Sequence, residues 1–131
     1  MMYEVSGGTK AQRKVVDEAM SYVIDHVDDV DDAYVYIELG KYQSNGVIQI
    51  GSKTFEIEVV KTVSMEEIVY TICHEMKHVE QLMQKRLVYK DGKSLWLGED
   101  HTDTEYHNRP WEKEAYYFER IAEDMLTSRA A

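Results

Sequence analysis

Cysteine is nearly missing from this sequence: Cys73 is the only one. No disulfide can form within the chain and no cysteine-rich zinc knuckle can be built, so a reducing compartment is expected. Proline is as scarce, with Pro110 alone, and no repeat, low-complexity tract or interdomain linker interrupts the chain. No apolar run approaches the roughly 20 residues of a membrane span. The opening MMYEVSGGTK lacks the apolar stretch of a secretory leader. No membrane partner and a cytoplasmic location are therefore expected. Basic residues are outnumbered, 15 Lys and Arg against 25 Asp and Glu, for a net charge of −10. A phosphate backbone would be repelled, so direct contact with nucleic acid is not expected. The same field favours cationic partners and keeps the chain soluble.

What is present points to one domain over residues 1–131. Its hydrophobic content of 44% is enough for a core without covalent staples. Tyrosine accounts for 10 of the aromatic residues against 2 Trp and 2 Phe, which suits a half-wet surface such as a cleft.

Residues 1–8 read as a loose leader with Gly7 and Gly8. Thr9 is placed to cap a helix from Lys10, along which Val15, Val16, Ala19, Met20, Val23, Ile24 and Val27 recur at helical spacing. The acidic run from Asp28 to Asp32 reads as a solvated turn. Alternation then predicts strands over 33–39, 46–50 and 54–60, joined by turn signals at Gly40, Ser44-Asn45-Gly46 and Gly51-Ser52-Lys53, as an antiparallel meander with one wet face. Ser64 and Glu67 form a capping-box pattern ahead of a helix over about 65–86. Its apolar stripe runs through Met65, Ile68, Val69, Ile72, Met76, Val79 and Met83. A hairpin turning on Asp91-Gly92 follows, then a polar loop over 98–109, then a helix from Pro110 to about Ser128. The expected fold class is α+β: an N-terminal helix, a small antiparallel sheet, a central helix and a C-terminal helix.

The chemistry sits in the central helix. Residues 74–78 read His-Glu-Met-Lys-His, the H-E-x-x-H pattern. Two histidines four apart lie one turn apart on one helix face, so both imidazoles can reach a single ion. The glutamate between them can take a proton from a zinc-activated water. Independent placement of these residues would produce the pattern in about two chains in a hundred. Here it falls inside a strongly marked helix, with the apolar stripe passing beside the pair. His74 and His78 are thus candidate Zn²⁺ ligands and Glu75 the candidate general base. Zinc needs a third protein ligand, and Glu112 or Glu114, 34 or 36 residues beyond His78, can supply it from the first turn of the last helix.

These motifs carry a resemblance. His74 to Gln81 reads H-E-x-x-H-V-x-Q, Trp96 lies in the following hairpin, and Pro110 to Ala115 reads P-W-E-K-E-A. Over about residues 60–120 the chain resembles the gluzincin group of zinc metallopeptidases, and within it small, phage-associated proteins of the minigluzincin kind. The resemblance implies a zincin-like core, with a sheet beside the active-site helix and an extended peptide or protein substrate bound along an edge strand, 46–50 or 54–60. It also implies that the third ligand is Glu112, which precedes the small residue Ala115 by three positions. One departure stands out: gluzincins often carry an aspartate four residues after that ligand to support the first histidine, and Tyr116 stands there, leaving the histidine without an identified partner. A transition-state donor is also unmarked; Tyr106 and His107 are the foremost candidates, with Arg109, Tyr116 and Tyr117 also in range. His26 reads as a surface residue, His101 as a loop residue, Cys73 as core, and Trp96 and Trp111 as packing around the site.

The expected activity is peptide-bond hydrolysis by metal-activated water. Two other classes compete: a non-proteolytic module that keeps zinc as a structural clip while gripping a partner, and a SprT-like protease acting on DNA-associated proteins. The retained Glu75 disfavours the first, and the missing basic patch disfavours the second.

Overall fold

Thr9 opens the first helix with a reciprocal cap. Its hydroxyl accepts from the Gln12 N–H at 3.0 Å and the Gln12 side chain accepts from the Thr9 N–H at 2.9 Å, which satisfies two otherwise orphaned helix donors. In the computed structural model, which describes residues 1–130, α1 (Lys10–His26) buries Val16, Ala19, Met20, Tyr22 and Val23. Ahead of it lies β1 (Met2–Gly7), and after it come β2 (Tyr34–Gly40), β3 (Gly46–Gln49) and β4 (Thr54–Val60). α2 (Met65–Met83) carries the H-E-x-x-H pattern. The strands β5 (Leu87–Lys90), β6 (Lys93–Trp96) and β7 (Glu99–Asp100) precede a short 3-10 turn at Tyr106–Asn108, and α3 (Pro110–Ala130) ends the described chain.

The class is α+β, with three α-helices and two small sheets. β5, β6 and β7 form an antiparallel sheet, but the larger sheet is mixed, in the order β1-β2-β4-β3. Two expectations are thereby corrected. Residues 1–8 are not a loose leader: β1 pairs parallel with β2, from Met2 opposite Tyr34 to Gly7 opposite Leu39. Residues 33–60 are not a meander either. β2 pairs parallel with β4, and only β3 and β4 run antiparallel. Period-two alternation reports which face of a strand is buried, not which neighbour it takes. α1 supplies the long crossover that a parallel β1–β2 pair needs, and the chain steps from β2 past the β4 position to the sheet edge before turning back.

Val35, Ile37 and Leu39 of β2 and Phe55, Ile57 and Val59 of β4 form the buried face of this sheet, while Tyr36, Glu38 and Glu56 face solvent. α2 packs on β4 and is flanked by α1 and α3. Ile68, Ile72, Met76 and Val79 close the core from the helix side together with Val16, Met20, Trp111 and Phe118. Ser64 caps α2 by accepting from the Glu67 N–H at 3.2 Å. The helix stops short of residue 86, since Lys85 takes the left-handed conformation at φ 58°. No helix among the described residues is long and apolar enough to cross a membrane.

Gly7 closes β1 in the left-handed region, at φ +74°, directly beneath the Leu39 backbone, whose carbonyl oxygen a Cβ would overlap. Gly46, at the start of β3, has open space around its Cβ position. Gly7→Ala should therefore lower the unfolding free energy by about 1–3 kcal/mol, and Gly46→Ala by less than about 1 kcal/mol. Urea denaturation of both variants checks the pair; equal losses would contradict the strained β1–β2 junction.

Candidate metal centre

His74 and His78 occupy successive turns of α2, so their rings project side by side, with centroids 4.9 Å apart and an interplanar angle of 82°. Glu112 comes to them from the first turn of α3. Its Oε1 lies 3.1 Å from His74 Nε2 and 3.2 Å from His78 Nε2. The three side chains offer donor atoms that all lie within 4.8 Å of one another, and the cluster can hold a metal ion. The residues are only 6, 7 and 8% exposed for His74, His78 and Glu112. Of the two candidate carboxylates, the structure brings Glu112 and not Glu114 to the histidines. Glu114 turns to Arg86, whose guanidinium donates to it at 2.7 Å.

The start of α3 is fixed by its neighbours. Arg109 is extended, at φ −67° and ψ 124°, as a residue before proline tends to be. Pro110 then enters the helix where its missing N–H has no consequence. Trp111 is buried, with Trp96 at 6.4 Å and His101 at 6.2 Å between ring centroids. Its carbonyl accepts from Gln81 Nε2 at 3.0 Å, which ties the first turn of α3 to α2. Trp96 and Trp111 thus pack around the site.

Gln81 also sets the proton on His78. Its amide nitrogen is committed to the Trp111 carbonyl and to Glu114, so its oxygen faces His78 Nδ1 at 2.8 Å and accepts from it. With Nδ1 donating to Gln81, Nε2 is the ring nitrogen that faces Glu112 and, once it gives up its own proton, the one left for an ion. In the absence of an ion, burial opposes charge on His78, but the hydrogen bond to Glu112, with Glu75 and Gln81 adding to it, raises the pKa above the ordinary histidine value. Burial likewise pushes Glu112 up, and the hydrogen bonds from both histidines outweigh it, holding the carboxyl well below the usual range.

Glu75 is 7% exposed. Burial pushes its carboxyl above the ordinary value, against the pull of His78 and His74. It lines both cavities beside the cluster. One, of about 160 Å³, is also lined by Asn45, Gly46, Val47, His78, Tyr106 and Glu112. The other, of about 400 Å³, includes His74, Thr71, Tyr116 and Glu119. Tyr106 lines both, and its hydroxyl donates to Glu112 Oε1 at 3.1 Å and lies 3.3 Å from the Tyr116 hydroxyl.

The remaining residues singled out from the sequence lie apart. His107 is exposed and sets its ring edge against Tyr106 at 5.5 Å, but lines neither cavity. Tyr117 is exposed, and Arg109 lies over the Tyr106 and Trp111 rings. His26 is exposed on α1 and stacks on Tyr22. His101 is held by Thr104 at 3.1 Å outside the cluster. Cys73 is core, its thiol pushed up by burial to about 12. Sequence reasoning gave no role to Gln81, Tyr89 or Glu119. Gln81 follows His74 by seven positions and His78 by three, on the same helix face, and that spacing was its signal; Tyr89 and Glu119 carried none, because only tertiary packing brings them near the site.

Two outcomes follow for metal binding. Gln81→Leu should weaken divalent-metal binding by about 10–100-fold, as loss of an outer hydrogen bond to a ligand does, measured by competition with a chromophoric chelator. A proton competes with the ion at His78, whose pKa is raised, so affinity should fall as pH drops through the histidine range, by about tenfold per unit for each proton displaced. A pH-independent affinity between pH 5 and 8 would contradict His78 as a ligand.

Comparison with family models, curated proteins and solved structures yields no match, so the chemistry of this centre is read from its own donor atoms.

Proposed function

We propose that this protein is a zinc-dependent peptidase with a zincin-like core, in which His74, His78 and Glu112 hold the metal and Glu75 is the general base. The observation that carries the reading is one small cavity in which Glu75, His78, Glu112, Tyr106 and the start of β3 all meet. The donor set fits zinc, which takes imidazole nitrogen and carboxylate oxygen in four-coordinate sites. Ligands at about 2.0–2.1 Å from one tetrahedral ion lie roughly 3.3 Å from each other, close to the 3.1 and 3.2 Å separating each histidine Nε2 from Glu112. Three protein ligands leave one position for water, as in catalytic rather than structural zinc sites.

When bound, zinc supplies a Lewis acid that polarises a carbonyl and lowers the pKa of a coordinated water. The chain's own groups do the rest. Glu75 takes a proton from the attacking water and returns it to the departing amine. Burial raises its pKa above the ordinary carboxylate value, which suits a group that must both accept and release a proton. Tyr106 presents a hydroxyl at the edge of the cluster and is the donor best placed to steady negative charge developing on the carbonyl oxygen. An extended peptide is accommodated along β3, which among the described residues pairs with β4 alone and so keeps one row of backbone donors and acceptors unpaired. A groove of about 620 Å³ runs on from the site beside Val47 to Ser52, Leu82 and Tyr89. It offers room for side chains on one flank of the cleaved bond.

Glu75→Gln should keep zinc and fold while losing about 10²–10⁴-fold in hydrolysis of an unstructured protein substrate. Glu112→Ala should lose zinc first. Peptide release followed by mass spectrometry, with zinc content measured on the same samples, tests the reading; cleavage by Glu75→Gln at the wild-type rate would sink it.

A further inference from the structure

The two histidines differ in how their far nitrogens are supported. His78 Nδ1 has Gln81 at 2.8 Å. His74 Nδ1 is buried and has no hydrogen-bond partner among the described residues. A buried ring nitrogen left unpaired is costly, and a histidine that gives Nε2 to a metal must carry its proton on Nδ1, where a donor needs an acceptor. The acceptor at hand is on α3. Glu119 Oε1 lies 3.9 Å from His74 Nδ1, on a side chain 28% exposed and therefore free to adjust. Glu112, Tyr116 and Glu119 are spaced four and three apart, so they stand in one row along α3. That row meets His74 at three points: Glu112 at Nε2, the Tyr116 ring with centroids 4.5 Å apart and nearly edge-on at 64°, and Glu119 at Nδ1.

We propose that Glu119 is the positioning residue for His74, accepting the Nδ1 proton and so fixing the ring with its Nε2 lone pair toward the metal. The inference rests on the zinc reading above. At 3.9 Å the pair lies about 0.7 Å beyond hydrogen-bonding range, and a small rotation of the glutamate closes it once the Nδ1 tautomer is fixed by an ion on the other side of the ring. Tyr116 cannot take this part: its hydroxyl is 3.3 Å from that of Tyr106, and it offers His74 its ring. The carboxylate that supports the first histidine thus comes from two turns beyond the ligand rather than one.

The test is a zinc competition titration of the full chain at fixed pH, with Glu119→Ala, Glu119→Gln and Glu123→Ala compared with wild type. The melting temperature of each metal-free variant serves as the control for fold. Glu119→Ala should bind zinc about 10–100-fold more weakly. Glu119→Gln, whose amide oxygen still accepts, should recover most of that loss, and Glu123→Ala should match wild type. In the zinc-loaded protein labelled with ¹⁵N-histidine, the His74 Nδ1 proton should be protected from exchange, and that protection should vanish in Glu119→Ala. Wild-type affinity and an unchanged His74 signal in Glu119→Ala would overturn the proposal, as would Glu119→Gln binding as weakly as Glu119→Ala, since charge alone would then be acting. A wild-type chain that takes up no zinc would instead overturn the metal reading itself, so the two failures can be told apart.

Discussion

One carboxylate oxygen, Glu112 Oε1, is shared by two imidazoles inside the α2–α3 contact, and the arrangement of the rest of the molecule answers to that. Three titratable groups have been taken out of water there. Isolated, each would be expensive to bury; together they are tolerable because each offers the others a hydrogen-bond partner of complementary character. Such a cluster demands that two helices remote in sequence be held in a fixed relation, since a carboxylate that drifts leaves two ring nitrogens without a partner. The core provides this. α2 is wedged between the sheet, α1 and α3, and Trp111 locks the turn that carries Glu112.

A second set of polar bonds braces α2 on another side. Glu80, buried in the same helix, accepts from the Asp28 N–H at 2.7 Å, and pairs with Lys77 at 2.6 Å and Arg86 at 3.3 Å. Arg86 continues to Glu114, and Glu114 to Gln81, whose oxygen meets His78. A continuous chain of polar contacts therefore runs from the loop after α1 to the candidate metal centre. Each link satisfies a group that would otherwise be stranded near the core. The acid-rich composition is in part a consequence: Glu80, Glu112 and Glu114 are spent on internal contacts rather than on solubility.

What could be read from the sequence is local, and what could not is pairing. The histidine pair and Glu75 were legible because four-residue spacing on a helix places side chains together by helix geometry alone. The α+β class and the three helices were legible from periodicity, from the caps at Thr9 and Ser64, and from Pro110 at a helix start. The meander was misread because Val35, Ile37 and Leu39 alternate with polar neighbours in the same way whether their partners run parallel or antiparallel. β1 was passed over because MYEVSG is short and ends in glycine; its place depends on β2, some 30 residues on. Choosing Glu112 over Glu114 needed the resemblance, since both lie near the start of one helix. Only the structure shows Glu114 drawn to Arg86 and Gln81, and only the structure shows Glu119 beside His74.

The division of donors between α2 and α3 bears on how fast an ion held there would come and go. Two of the three groups are neighbours on a rigid helix and offer themselves together. The third comes from a helix remote in sequence, so arrival of an ion would be a two-point capture completed by Glu112. Departure would run in reverse: lifting of the first turn of α3 would withdraw Glu112, so that local opening would bear on residence time alongside the two imidazole contacts. Trp111, which offers no donor atom to the cluster, would then bear on that exchange, through the depth of its burial and the bond from Gln81 to its carbonyl.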